Sequence, residues 1–167
     1  MSFVFFHITT VIYLVSTFVY IAYLVSHNER FEKIAKGMLY AGFGAHTVTI
    51  ISRGIEALRT PAASLHESLT LFAWLIVALF IIVDRRYKLS VLGAFVAPFV
   101  LTIIITASFQ SKEITPLSPV LKSYWLPFHI VIAFLGNAFF AIAFMLALMY
   151  LIQEHYLKSR KVKGLYF

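Results

Sequence analysis

The chain has 167 residues, of which 61% are hydrophobic and only 13% charged, and its mean hydropathy is +0.89. A water-soluble domain carries about 25% charged residues, so this composition excludes an ordinary soluble globule and requires lipid as part of the solvent. The formal charge of +7 lies in short runs between apolar stretches rather than in one patch, which argues against nucleic acid; the absence of cysteine removes disulfides, thiolate metal sites and redox pairs.

Taken in chain order, five stretches approach or exceed the ~20 residues a helix needs to cross a bilayer. The first, residues 3–26, is too long for a signal-peptide core and has no basic segment before it, so it reads as a span rather than a cleaved leader. The second, 37–55, carries Gly42, His46, Thr49, Arg53 and Glu56 at alternating steps of four and three, which puts them on one helix face. Polar residues at that depth must face a bundle interior or a water-filled cavity. Two readings of this stripe stand side by side. In one it is a cofactor-facing wall, with His46 as an axial ligand and Arg53 as an anion or propionate partner. In the other His46 hydrogen-bonds a neighbouring helix and Arg53 pairs with Glu56.

The third stretch, 65–83, starts at Leu65-His66-Glu67, where Glu67 reads as an electrostatic cap of the helix N-terminus. The fourth, 89–109, contains Pro98, which removes one internal hydrogen bond and predicts a kink. The fifth, 124–152, would be about 43 Å long at ~1.5 Å per residue, so it must tilt or protrude. Trp125 at its start suits an interfacial anchor, and His129 follows one turn later. Small residues at intervals (Gly37, Ala41 and Ala45; Ala133, Gly136, Ala143 and Ala147) predict faces where a neighbouring backbone approaches closely.

The connections 26–36, 56–64, 84–88 and 110–123 set the orientation. Arg30, Lys33, Lys36, Arg85, Arg86, Lys88, Lys158, Arg160, Lys161 and Lys163 would share one side of the membrane, against Arg53, Arg59, Lys112 and Lys122 on the other. The positive-inside rule then puts the first set in the cytoplasm. The expected fold is an all-α integral membrane protein, one domain over 1–167, with about five transmembrane helices, the N-terminus outside and the C-terminus cytoplasmic. His7, His66 and His129 fall on the outer side in this topology, His27 and His155 on the cytoplasmic side. A neutral imidazole such as that of His129 can ligate haem iron held in an outer cavity. No glycine-rich phosphate loop, HExxH or paired intramembrane carboxylates point to a kinase, P-loop protein or hydrolase.

Two segments carry a resemblance. Leu65-His66-Glu67-Ser68-Leu69-Thr70-Leu71-Phe72-Ala73-Trp74, followed by Asp84-Arg85-Arg86-Tyr87, is similar to the cytochrome c assembly family, which includes the CcmC, CcsA and ResC types and the related HemX proteins. Pro119-Val120-Leu121-Lys122-Ser123-Tyr124-Trp125-Leu126-Pro127-Phe128-His129 resembles the family's next landmark, and Gly136, Phe139 and Ala143 continue that helix. The resemblance covers the N-terminal part of a typical member. It implies haem handling at the outer face of a bacterial cytoplasmic (inner) membrane in support of cytochrome c maturation, by an assembly factor rather than a catalyst. His129 matches the family's outward haem-ligating histidine, while Trp125, Arg53 and His46 would flank or ligate the cofactor. The family's tryptophan-rich, WxWD-type loop is not in this sequence. A membrane partner carrying that loop is therefore expected, with apocytochrome c as a further partner and the lipid bilayer as surroundings. A HemX-like regulator of tetrapyrrole synthesis, working through a cytoplasmic partner, and a structural subunit of a membrane complex are the alternatives.

Overall fold

A computed structural model describes residues 1–114 and 125–164, the side chains of 159–164 excepted. Five helices follow one another: α1 (Ser2–Ser26), α2 (Glu29–Ala57), α3 (Leu65–Tyr87), α4 (Ser90–Ser108) and α5 (Trp125–Gly164). All but α2 are long and apolar enough by composition to cross a membrane. The first four pack antiparallel in chain order, and α5 lies against α3 and α4.

Local chemistry explains the boundaries. His27 takes a left-handed conformation (φ 52°) that ends α1, and the Asn28 side chain accepts from the Arg30 backbone N–H to start α2. Glu29 and Glu32 then lie in the first turn of α2, where the helix dipole favours acids. The connection expected over 26–36 therefore shrinks to His27 and Asn28, and α2 begins well before the apolar stretch at 37. Ser64 and Glu67 form a reciprocal capping box at the head of α3. Lys88 (φ 54°) closes α3, four residues beyond the expected end, with Arg85 and Arg86 in its last turn. Pro98 lies within α4, which continues through it to Ser108. The fifth helix extends past 152 to Gly164. Residues 115–124, including Lys122 and the start of the second family-like segment, lie outside the described residues, as do the side chains of Arg160, Lys161 and Lys163.

The distribution of polarity inverts that of a soluble protein. Phe18, Ile51, Ile82 and Phe140 are exposed, while His46, Thr49, Arg53, Glu67 and Asp84 are buried. Apolar outside and polar inside is what lipid selects. Side chains in the interior are large where helices approach through glycine. A Cβ on Gly42 would meet the Tyr13 ring at 2.5 Å, and one on Gly93 would overlap the Tyr20 hydroxyl. The two small-residue faces read from the sequence are corrected here. Gly37, Ala41, Ala133, Ala143 and Ala147 are exposed, and added Cβ atoms on Gly37 and Gly136 would meet nothing within 4 Å. Among the described residues no helix packs closely on those faces.

Two ends of the bundle can be distinguished. One carries the α1–α2 and α3–α4 connections with Arg30, Lys33, Arg85, Arg86 and Lys88, and is called the basic end. The other carries Met1, the α2–α3 connection and the start of α5, and is called the N-terminal end.

Candidate functional site

Four of the five residues of the polar stripe of α2 face inward as their spacing predicts: Gly42, His46, Thr49 and Arg53 are buried, while Glu56 is exposed. At the N-terminal end the stripe meets the first turn of α3. Arg53 donates through Nε to Glu67 Oε1 at 3.1 Å and through Nη2 to the Lys112 carbonyl at 2.8 Å. The other carboxylate oxygen, Oε2, accepts from Arg59 Nη1 at 2.9 Å and from the Ala63 and Ser64 backbone N–H groups at 3.0 and 3.3 Å. Glu67 is 2% and Arg53 5% exposed, so the charge is removed from solvent and compensated by two guanidiniums and two amides.

This corrects the expected Arg53–Glu56 pair. Glu56 instead binds the other end of α1, accepting from the Met1 ammonium at 2.8 Å, the Ser2 N–H at 2.9 Å and the Ser2 hydroxyl at 2.5 Å. Those donors, the ammonium foremost, hold its carboxyl down at about 2. Glu67 caps α3 as expected, but its larger part is to join α2, the α2–α3 connection and, through Arg53, the segment after α4. His66, expected near the outer surface, is buried. Its Nδ1 lies 2.8 Å from the Ala107 carbonyl of α4 and its ring 4.9 Å from that of Phe6. Thr49, Arg53, His66, Glu67 and Thr70 surround a cavity of about 10 Å³, room for a single water at most.

His46 lies two turns deeper along α2 than Arg53. It is fully buried; Nδ1 is 3.1 Å from the Tyr13 hydroxyl, and Nε2 has no hydrogen-bond partner. With hydrogen on Nδ1 the ring donates to Tyr13 and leaves a lone pair on Nε2, the form a metal takes; with hydrogen on Nε2 it accepts from Tyr13 and faces the Thr70 backbone. Tyr13 thus orients the ring as an outer partner orients a ligating histidine. Space is the opposing fact. The ring is enclosed, and Trp74 bridges the adjacent part of the α2–α3 seam by donating to Thr47 at 2.9 Å and stacking on Phe43 at 5.3 Å. A flat macrocycle fits at His46 only if that seam parts.

His129 presents the complementary case. It and Trp125 are exposed at the start of α5, where the Trp125 and Phe128 rings lie 6.4 Å apart. Beside this turn Arg59, Thr60, Ala62, Ala63, Leu126, Pro127 and Ile130 line a cleft of about 150 Å³. The imidazole is accessible and the neighbouring wall mostly apolar with one guanidinium. The structure does not bring His46, Arg53 and His129 into one pocket. His46 and Arg53 belong to the interior of the four-helix bundle, while His129 and Trp125 lie on its periphery. Glu67, Arg59 and Tyr13 complete these surroundings. The sequence signals for them were the capping-box spacing of Ser64 and Glu67 and the presence of two arginines on the sparsely basic side.

Comparison with known proteins identifies the family. The family model for the cytochrome C assembly protein matches residues 62–166. The cytochrome c biogenesis protein CcsA of Guillardia theta is 31% identical over 154 residues, covering 82% of this chain and 51% of the relative. Protein HemX of Bacillus subtilis is 28% identical over 155 residues, covering 92% of this chain and 56% of the relative. CcsA of Synechocystis is 31% identical over 109 residues, covering 63% of this chain and 33% of its own length. The chain thus spans about half the length of the first two of these curated relatives and a third of the third. With a family match over more than half its residues, the chain belongs to the cytochrome c assembly protein family.

Proposed function

We propose that this chain is a membrane component of cytochrome c biogenesis that holds or presents haem at the extracytoplasmic face, with His129 as an axial ligand. The observation that carries the reading is an exposed imidazole at the end of the bundle with fewer basic residues, beside an apolar cleft lined by Arg59. Positive-inside bias supports assigning that end to the outside, so the N-terminus would be extracytoplasmic and the C-terminus cytoplasmic, in a bacterial inner membrane. Haem, when bound, would supply an iron that accepts a nitrogen ligand. The protein residues would do the rest: His129 would donate a nitrogen lone pair, Leu126, Pro127 and Ile130 would exclude water, and Trp125 would anchor the turn at the interface. His46, oriented by Tyr13, offers a second nitrogen if α2 and α3 separate. Arg53 is committed to Glu67 and acts as a brace rather than a propionate partner. A membrane partner with a tryptophan-rich loop would complete the haem platform and receive apocytochrome c.

The test is absorption spectroscopy of detergent-purified protein from haem-replete cells, alone and with such a partner. A Soret band that His129→Ala weakens is expected; colourless preparations in both cases would refute the reading. A second reading, a HemX-like regulator of tetrapyrrole synthesis, is favoured by the fuller coverage of this chain by the HemX match. It predicts binding of a cytoplasmic partner to the basic end that is indifferent to His129→Ala.

A further inference from the structure

The fifth helix carries one hydrophilic side chain where lipid would meet it. Between His129 and Tyr150 every residue of α5 is apolar except Asn137. It lies about 18 Å along the helix from Trp125, near the middle of a hydrocarbon layer ~30 Å thick. Asn137 is exposed, and among the described residues its amide has no hydrogen-bond partner. The side of α5 that packs on the bundle is a different one, made by Ala138, Ile142 and Met145. Other lipid-facing polar groups are answered within their own helix: the exposed Thr102 and Thr106 donate back to the Pro98 and Thr102 carbonyls of α4. An unanswered amide is costly in hydrocarbon, where water cannot serve it, and asparagines in spans pair across helices for that reason.

The surroundings of Asn137 say what kind of helix would meet it. Ala133, Asn137, Phe140, Phe144, Ala147 and Leu151 follow one another at alternating steps of four and three, the spacing with which two helices meet along a left-handed crossing. All six are exposed, Phe140 by 76% and Phe144 by 63%. We propose that this seam is the contact between two copies of the chain, held in register by a hydrogen bond between their Asn137 side chains. Two copies inserted in the same sense are related by a two-fold axis along the membrane normal, so their fifth helices run parallel and a residue at the axis meets itself. An amide suits that place because it both donates and accepts, and one asparagine in an apolar seam fixes register and the number of helices. Ala133 and Ala147 let the backbones approach, and Phe140 and Phe144 fill the space between them. Charge does not oppose the contact. The next position of the seam is Glu154, whose carboxylate is already paired with Lys158 of its own helix. The seam uses neither His46 nor His129 and stands whether or not the haem reading does.

Cross-linking tests this cleanly, because the chain has no cysteine of its own. Single-cysteine variants are purified, reconstituted at low density into phosphatidylcholine vesicles and oxidised with copper phenanthroline, and the linked dimer is read on a denaturing gel. Ala133→Cys and Ala147→Cys are expected to link several-fold faster than Ile132→Cys, which is 68% exposed but on another face of α5. Adding Asn137→Leu to Ala133→Cys should bring its rate down to that of Ile132→Cys, whereas Asn137→Gln should keep most of it. Circular dichroism should show unchanged helix content in both, since Asn137 bonds to nothing within its own chain. Equal linking on the two faces would overturn the proposal, and that comparison holds whatever becomes of the leucine variant. So would linking that Asn137→Leu leaves as fast as before. Absence of linking at both seam positions would overturn it too, and would give the seam to a helix of a different polypeptide.

Discussion

Replacing Glu67 with alanine removes the acceptor for the Arg53 Nε and Arg59 Nη1 donors and for two backbone amides at once. Arg53 would keep only the Lys112 carbonyl, in surroundings that leave its side chain 6% exposed. Removing one partner of a buried ion pair costs about 3–5 kcal/mol, because the remaining charge stays desolvated. Proximity to the aqueous end of the bundle favours the lower half of that range. For a chain of this length each kcal/mol moves the melting temperature by about 2–4 °C, so a fall on the order of 6–16 °C is expected. Glu67→Gln keeps the shape and the capping box but not the charge, and should lose about 1.5–3 kcal/mol, the worth of hydrogen bonds to a charged group. The decisive variant is the double replacement Arg53→Met with Glu67→Leu, which removes the more deeply buried pair, leaves Arg59 with one acceptor fewer, and should recover part of the loss. Thermal denaturation in detergent, followed by circular dichroism, reads all three. If Glu67→Ala melts with the wild type, or the double variant is no more stable than Glu67→Ala, the buried-pair reasoning is wrong.

Three further outcomes follow from the same geometry. Gly42→Ala forces a methyl against the Tyr13 ring and should cost about 1–3 kcal/mol by overpacking, whereas Gly44→Ala, with nothing within 4 Å of the added carbon, should be neutral or slightly stabilising in the same melts. His129→Ala touches only an exposed side chain and should leave the melting temperature unchanged while weakening any Soret absorption; a large loss of stability would show that the imidazole is structural. Glu56 has a folded-state pKa of about 2, below its unfolded value of ~4.3, so its contribution is fully present above the unfolded value and lost as pH falls toward the folded one. The stability difference between wild type and Glu56→Gln should therefore be constant near neutrality and shrink through that acidic window. A difference that instead grows on acidification would refute the assignment.

Much of the fold was legible because lipid imposes simple rules. Long apolar runs had to be helices, since hydrocarbon offers backbone groups no other partners, and the inward face of α2 was marked by its polar side chains. Among the described residues, the basic side chains separated onto two ends of the bundle as their loops predicted. The small-residue faces were misread for a physical reason: glycine and alanine permit close approach but do not demand it. Facing lipid costs them nothing, so Gly37 and Gly136 stay outside while Gly42 and Gly93 receive tyrosines.

The candidate site divides along the same line. His46, Arg53, Trp125 and His129 could be picked out one at a time, since each is a polar or amphipathic side chain in or beside an apolar run. Their relations could not. Along α2 the acid within reach of Arg53 is Glu56, one turn away, and helix spacing offers no other. Only the packing of α3 against α2 brings up Glu67, and only the docking of α1 gives Glu56 to Ser2. The same holds for His46, which met Tyr13 across a helix pair, and for Asp84, which meets Lys36 and Tyr40. Sequence by itself determined the solvent, the helices and which residues must be inside, because those are properties of short segments. Tertiary structure decided which buried charge answers which, because hydrogen bonds and ion pairs act over a few ångströms and join residues far apart along the chain.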